Sequence, residues 1–201
     1  MSVSPIHRRL RVARSVPDVD SEAVTAAAVT LLATLGLDLA DENLVETPRR
    51  MADALIEMTH GPEFDLTTFA NHEEYDELVV VSDIPVQSLC EHHVLPFVGV
   101  AHVGYLPGER ILGLSKFARM VDFHARRPQT QERLTKAVAD HLQEVLAPRG
   151  VGVVIQAEHT CMSLRGARTP GTRTTTSTLF GLLRDDPRSR AEFLELTRSR
   201  P

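Results

Sequence analysis

The first sustained pattern of apolar positions begins at Asp20. In DSEAVTAAAVTLLATLG, Val24, Ala28, Leu31, Leu32 and Leu35 recur at helical spacing and form one stripe. Asp20 or Ser21 can cap the start of that helix and Gly36 can end it. A second helix is predicted from Thr47-Pro48, a capping residue followed by proline at the first helical position. It runs through Met51, Leu55 and Met58 and stops before Gly61-Pro62. From Leu78 the pattern changes to that of strands. ELVVVSDIPVQSLC is β-branched and apolar, with a bend expected at Pro85, and VLPFVGVAHVGYLP alternates around Val98, Val100 and Val103. A short helix is predicted over Ser115–Ala125. A longer one follows Pro128, carried by Leu134, Val138, Leu142 and Val145 and ended by Pro148 and Gly150. VGVVIQAEHTCMSLRG and TRTTTSTLFGLL read as two further strands, and the segment from Asp186-Pro187 reads as a last helix burying Phe193 and Leu196.

The order ββααββ predicts an α+β layer structure, an antiparallel sheet with both helices on one face. Its other face and its edges then need cover, which other subunits commonly supply. The chain divides on this reading into a flexible basic arm at 1–19, an N-terminal helical extension at 20–72 and a catalytic domain at 73–201. The formal charge of −5 gives no general attraction to nucleic acid or to an anionic membrane, so phosphate binding requires a local basic cluster. No apolar run approaches the ~20 residues that span a bilayer, and the Arg-rich start lacks the apolar stretch of a secretion signal. A cytoplasmic location is expected.

Chemistry concentrates in Ser88-Leu89-Cys90-Glu91-His92-His93. Cys90 and His93 are spaced C-x-x-H, so one tight turn can aim both at a metal. Cys161 is the only other cysteine, and His159 lies two residues before it, on the same face if the strand continues. Cys90, His93 and Cys161 make three ligands, where a structural zinc site normally has four, and an open fourth position suits water activation. His92 and His159 are left for proton transfer. The spacing alone fits two buried core thiols as well.

Lys116 and Arg119 share one face of the Ser115–Ala125 helix, Ser115 stands at its start, and Arg165 follows the Cys161 segment. These form a candidate polyphosphate cradle, although such a cationic pair is more often a solvated helix face. Gln131 and Glu132 begin the longer helix. A carboxylate there can accept from both N1–H and N2–H2 of guanine, or can simply complement the helix dipole.

Together these segments resemble GTP cyclohydrolase I. The matching stretches are ETPRR from Glu46, SLCEHHVLPFVG from Ser88, GYLPGERILGLSKFARMVDFHARRPQTQERLTKAV from Gly104, VGVVIQAEHTCMSLRGART and TTTSTLFG, in the same order. The resemblance implies the tunnelling fold, assembled as a toroidal homodecamer with active sites at subunit interfaces. It implies Zn2+ on Cys90, His93 and Cys161, proton shuttling by His92 and His159, and guanine recognition by Gln131 and Glu132. Ser115, Lys116, Arg119 and Arg165 would lie around the ribose and triphosphate of GTP, with Ser115 taking part in catalysis. The implied reaction opens the imidazole ring of GTP, releases formate and yields dihydroneopterin triphosphate. Asp53 departs from the pattern, since many relatives carry a basic residue there. Two other classes fit less well: a zinc-stabilised protein of the same fold that only binds a purine or pterin, and a thiol sensor closing a Cys90–Cys161 disulfide. His92 and His159 favour turnover over binding alone, and metal analysis of the purified protein separates the sensor.

Overall fold

A computed structural model describes residues 7–12 and 18–198. Strand β1, His7–Val12, lies within the stretch read as a flexible arm, yet it pairs antiparallel with a later strand; residues 1–6 and 13–17 of that stretch lie outside the described residues. Helices α1 (Ser21–Thr34) and α2 (Thr47–Thr59) follow as the patterning predicts, with the Asp20 side chain accepting from Ala23 N at 3.0 Å. The apolar stripe of α1 is only half used. Ala28 and Leu32 are buried, whereas Leu31 and Leu35 are exposed.

Strand β2 (Phe64–Ala70) interrupts the stretch read as a helical extension. It buries Phe64, Leu66 and Thr68 on one face and joins β1 to the short β5 (Arg110–Leu112) in a three-stranded sheet.

The main sheet has the order β6-β3-β4-β7-β8, where β3 is Val79–Cys90, β4 Leu95–Leu106, β6 Pro128–Gln129, β7 Gly150–His159 and β8 Arg173–Gly181. The β3, β4, β7 and β8 pairings are antiparallel, and the two residues of β6 run parallel to the end of β3. Helices α3 (Ser115–Ala125) and α4 (Gln131–Leu146) pack on one face through Phe117, Met120, Val121, Leu134, Val138 and Leu142. This is the predicted ββααββ unit, the α+β arrangement of the tunnelling fold.

The bend in β3 is not at Pro85, which pairs with Val100 in the ladder. It is one residue pair earlier: Val81 faces Val103 while Ile84 faces Ala101, so β3 carries one extra residue, and Asp83 takes φ +56°. Because side chains alternate along a strand, the extra residue exchanges odd for even positions. Val79 and Val81 face the helices before the bulge; Ile84, Val86 and Cys90 face them after it. The bulge is what turns Cys90 to the helix-covered side. His102 Nδ1 accepts the Asp83 N–H at 3.3 Å, and burial holds this ring's pKa below the ordinary histidine range.

The opposite face is partly covered by the chain itself. Helices α6 (Leu182–Asp185) and α7 (Pro187–Leu196) bring Leu183 and Phe193 onto Leu106 and Val154. Gly104 and Gly152 admit the Phe193 ring, since a Cβ on either would lie 2.8 or 2.6 Å from it. Leu196, expected to be buried with Phe193, is exposed.

Candidate metal centre and acid–base cluster

Three elements meet at one end of the helix-covered face: the end of β3, the start of α4 and the end of β7. A buried polar corner ties the end of β3 to the end of α3 and to β6, just ahead of α4. Ser88 Oγ donates to Ala125 O and is within 3.2 Å of Arg127 O, and Gln129 Nε2 donates to Ser88 Oγ (3.1 Å) and His124 O (2.7 Å). Gln129 Oε1 accepts from Arg127 Nε at 3.1 Å. Beyond Cys90 the chain turns through Glu91–Val94, closed by Val94 N to Cys90 O at 2.8 Å. Glu91 N donates to Gln129 O, and its carboxylate pairs with Arg133 on α4, so the turn is tied once to β6 and once to α4.

The structure gathers Cys90, His159 and Cys161, whose ligand atoms all lie within 4.8 Å of one another. His92 Nδ1 and His93 Nδ1 each lie 3.8 Å from Cys90 Sγ on the exposed turn. Cys161 arrives there by a route different from the expected one. The strand ends at His159, and Cys161 sits on the single helical turn α5 (Thr160–Ser163), tethered by Thr160 Oγ1 donating to Pro96 O at 2.6 Å. His159 is stacked on Phe97, its register partner on β4, with ring centroids 4.6 Å apart and planes at 15°. Its Nε2 lies 2.9 Å from Gln131 Oε1. Burial pushes the His159 pKa down, opposed by the Glu132 carboxylate. Burial and the adjacent Cys90 thiol push the Cys161 thiol up, opposed by Arg165.

That donor set suits a divalent cation. Two neighbouring thiols resist joint ionisation, and a cation between them removes the obstacle. At tetrahedral angles, bonds of the usual zinc lengths separate two sulfurs by about 3.8 Å and a sulfur from a nitrogen by about 3.6 Å. The observed separations reach these values with small side-chain movements.

Of the expected substrate residues, Glu132 and Arg165 act on the cluster electrostatically, through His159 and Cys161 respectively, and Gln131 touches it directly. Ser115, Lys116 and Arg119 are not brought to it within one chain. The far end of α3, Ala125, is the end hydrogen-bonded to Ser88, and a helix rises about 1.5 Å per residue, so Lys116 begins about 14 Å further away. Arg119 instead lines a cavity of about 370 Å³ with Glu63, Phe64 and Asp65. Asp53, at the departure noted above, pairs with Arg49 at 2.9 Å, and Arg49 also pairs with Glu46.

Phe97, Thr176 and the Glu91–Arg133 pair had no signal in the sequence. Phe97 acquires its role from register with His159, and Thr176 from its hydroxyl on the Gln131 amide. Only C-x-x-H is local enough to read directly.

A sheet that gathers two thiols, three imidazoles and a carboxylate at its rim has the donors of a metal-dependent acid–base enzyme. Comparison with known proteins makes this specific. The family model for GTP cyclohydrolase I matches residues 24–198. GTP cyclohydrolase 1 of Thermoanaerobacter pseudethanolicus is 48% identical over 186 residues, covering 90% of this chain and 99% of the relative. That of Mycolicibacterium gilvum is 50% identical over 188 residues (90% and 93%), and that of Mycobacterium tuberculosis 51% over 183 residues (88% and 90%). A solved structure, the archaeosine synthase QueF-Like in its apo form, matches with TM-score 0.44 at 19% identity, covering 52% of this chain and 93% of that one. The chain belongs to the GTP cyclohydrolase I family.

Proposed function

We propose that this chain is a zinc-dependent hydrolase converting GTP and water to dihydroneopterin triphosphate and formate, the first step toward tetrahydrofolate-type pterins. The observation that carries the reading is the convergence of Cys90, His159 and Cys161 beside His92, His93 and Glu132, in a chain of this family. The metal ligands are Cys90, His93 and Cys161. His93 stands on an exposed turn with Nδ1 already 3.8 Å from Cys90 Sγ, whereas the His159 ring is held between Phe97 and Gln131. A zinc ion there would supply a Lewis acid that activates water.

The chain's own residues supply the rest. Protonation of guanine N7 by His92 draws charge from C8 and makes it a better acceptor. His159, whose pKa burial lowers against the opposing Glu132 carboxylate, stands beside the thiols as the second proton-transfer residue. Glu132 at the start of α4 accepts from N1–H and N2–H2 of guanine, with Gln131 beside it in the expected recognition pair. Arg165 stands on the cluster's side of the chain, and Ser115, Lys116 and Arg119 complete a cradle for the ribose and triphosphate.

The distance of α3's start from Cys90 supports an active site shared between subunits, in which a neighbour contributes Ser115, Lys116 and Arg119. Strand β8 lies at an outer edge of the main sheet, the kind of edge a second copy can extend. A toroidal homodecamer meets both requirements. No helix among the described residues is long and apolar enough to cross a membrane.

The test is incubation with GTP, following formate and, after oxidation, pterin fluorescence. The two should appear in equal amounts. A protein that binds GTP and releases no formate would be a binding module of the same fold.

A further inference from the structure

Gln131 is the first residue of α4 and is fully buried. Its Nε2 lies 3.0 Å from each of three acceptors, Ile155 O, Thr174 O and Thr176 Oγ1, which share its two hydrogens. Carbonyl oxygens only accept, so the atom facing Ile155 and Thr174 must be the amide nitrogen, and the amide cannot be turned over. Oε1 therefore faces His159 Nε2 at 2.9 Å, and since Oε1 only accepts, Nε2 must carry the hydrogen. Stacking on Phe97 fixes the plane of the ring. A neutral His159 then has one atom with a free lone pair, Nδ1. The Thr176 hydroxyl is itself held by Thr135 Oγ1 at 2.6 Å, and Thr135 Oγ1 donates back to Gln131 O.

Every polar atom of the Gln131 side chain is thus engaged inside the chain. Its neighbour Glu132 is exposed. We propose that Gln131 is a positioning residue, holding His159 as the Nε2–H tautomer with the Nδ1 lone pair left free, and that base recognition falls to Glu132. This deepens the functional reading above and rests on it for the role of His159, while replacing the expected part of Gln131 in guanine recognition. An amide suits this position because it orients the ring and fixes the tautomer while adding no charge beside two thiols.

The experiment has two arms. In the first, the magic-angle-spinning nitrogen spectrum of metal-free, 15N-histidine-labelled protein is compared with that of His159→Gln to isolate the His159 signals. The parent chain is expected to show a protonated Nε2 and a bare Nδ1; a protonated Nδ1 with bare Nε2 overturns the proposal. In the second, Gln131→Met keeps the length and removes the hydrogen bonds, and Thr176→Val, a milder change, loosens the amide while leaving Gln131 in place. For whichever variant folds, kcat should fall by about ten- to a hundredfold, the usual effect of losing a residue that orients a site histidine. KM for GTP and the preference for GTP over inosine triphosphate should stay as in the parent. A variant that raises KM or loses that preference at unchanged kcat would make Gln131 a base-reading residue and refute the idea. If no form of the protein releases formate, the functional reading fails, and the nitrogen spectrum still decides the tautomer.

Discussion

Gln129→Leu tests whether the polar corner beneath the cluster is what holds β6 and the end of α3 to the end of β3. Gln129 is fully buried, and leucine is close to it in volume, so the change removes hydrogen bonds with little change in packing. Two good donor bonds are lost, to Ser88 Oγ at 3.1 Å and His124 O at 2.7 Å, together with the one accepted from Arg127 Nε at 3.1 Å. Ser88 Oγ retains Ala125 O and Arg127 O. The loss falls mainly on His124 O and the Arg127 guanidinium. At about 1 kcal/mol per bond plus part of a desolvation penalty, the cost is about 2–4 kcal/mol. For a chain of this size that corresponds to a Tm lower by about 5–15 °C. The assay is thermal unfolding at one fixed protein concentration, with Ser88→Ala and the double variant alongside. Ser88 and Gln129 share a bond, so the double variant should lose less than the sum of the singles. A Tm within about 1 °C of the parent, below the effect of a single lost hydrogen bond, would refute the reasoning.

Cys161→Ala should lower the metal content measured by mass spectrometry well below the one ion per chain expected of the parent, and a chain that kept its full metal would exclude Cys161 as a ligand. Glu132→Gln replaces an acceptor oxygen with a donor facing the guanine N1–H or N2–H2, so KM for GTP should rise by roughly tenfold or more while ATP stays inert; an unchanged KM would leave Glu132 to the helix dipole. Burial lowers the His141 pKa, with Glu144 opposing, so below the ordinary histidine value of about 6.5 the unfolded chain binds a proton that the folded chain refuses. Stability from this group is complete above that pH and falls as the pH drops. The parent should therefore lose Tm between pH 7 and 5 more steeply than His141→Gln, and parallel curves would contradict this.

What the sequence made legible was local. Cys90, His92 and His93 stand within one turn, the start of α1 follows from its capping residue Asp20, and α3 follows from spacing alone. The rest depended on contacts between distant segments. Pro85 marks the expected bend, but Val81 and Ile84 show the extra residue lies at Ser82–Asp83, and only pairing with β4 reveals it. The spacing of His159 and Cys161 reads as one strand face; the chain reaches the same meeting through a helical turn. The alternation of Phe64, Leu66 and Thr68 was readable as a strand, but without β1 and β5 nothing in the sequence required one there. Leu31 and Leu35 fit the α1 stripe by spacing, yet both are exposed among the described residues. Gln131 is the clearest case. Its place beside Glu132 suggests a joint role, and only the carbonyls of Ile155 and Thr174 reveal which way its amide points.

A metal held by the thiol–imidazole cluster is what lets this chain, on the proposed reading, open the imidazole ring of GTP. The most direct test is carbon NMR on GTP labelled with 13C at C8, mixed with protein stripped of metal and then reloaded with zinc. The label should stay in GTP with the stripped protein and leave as formate once zinc is restored. Label released as formate at the same rate by the stripped protein would contradict the proposed role of the metal.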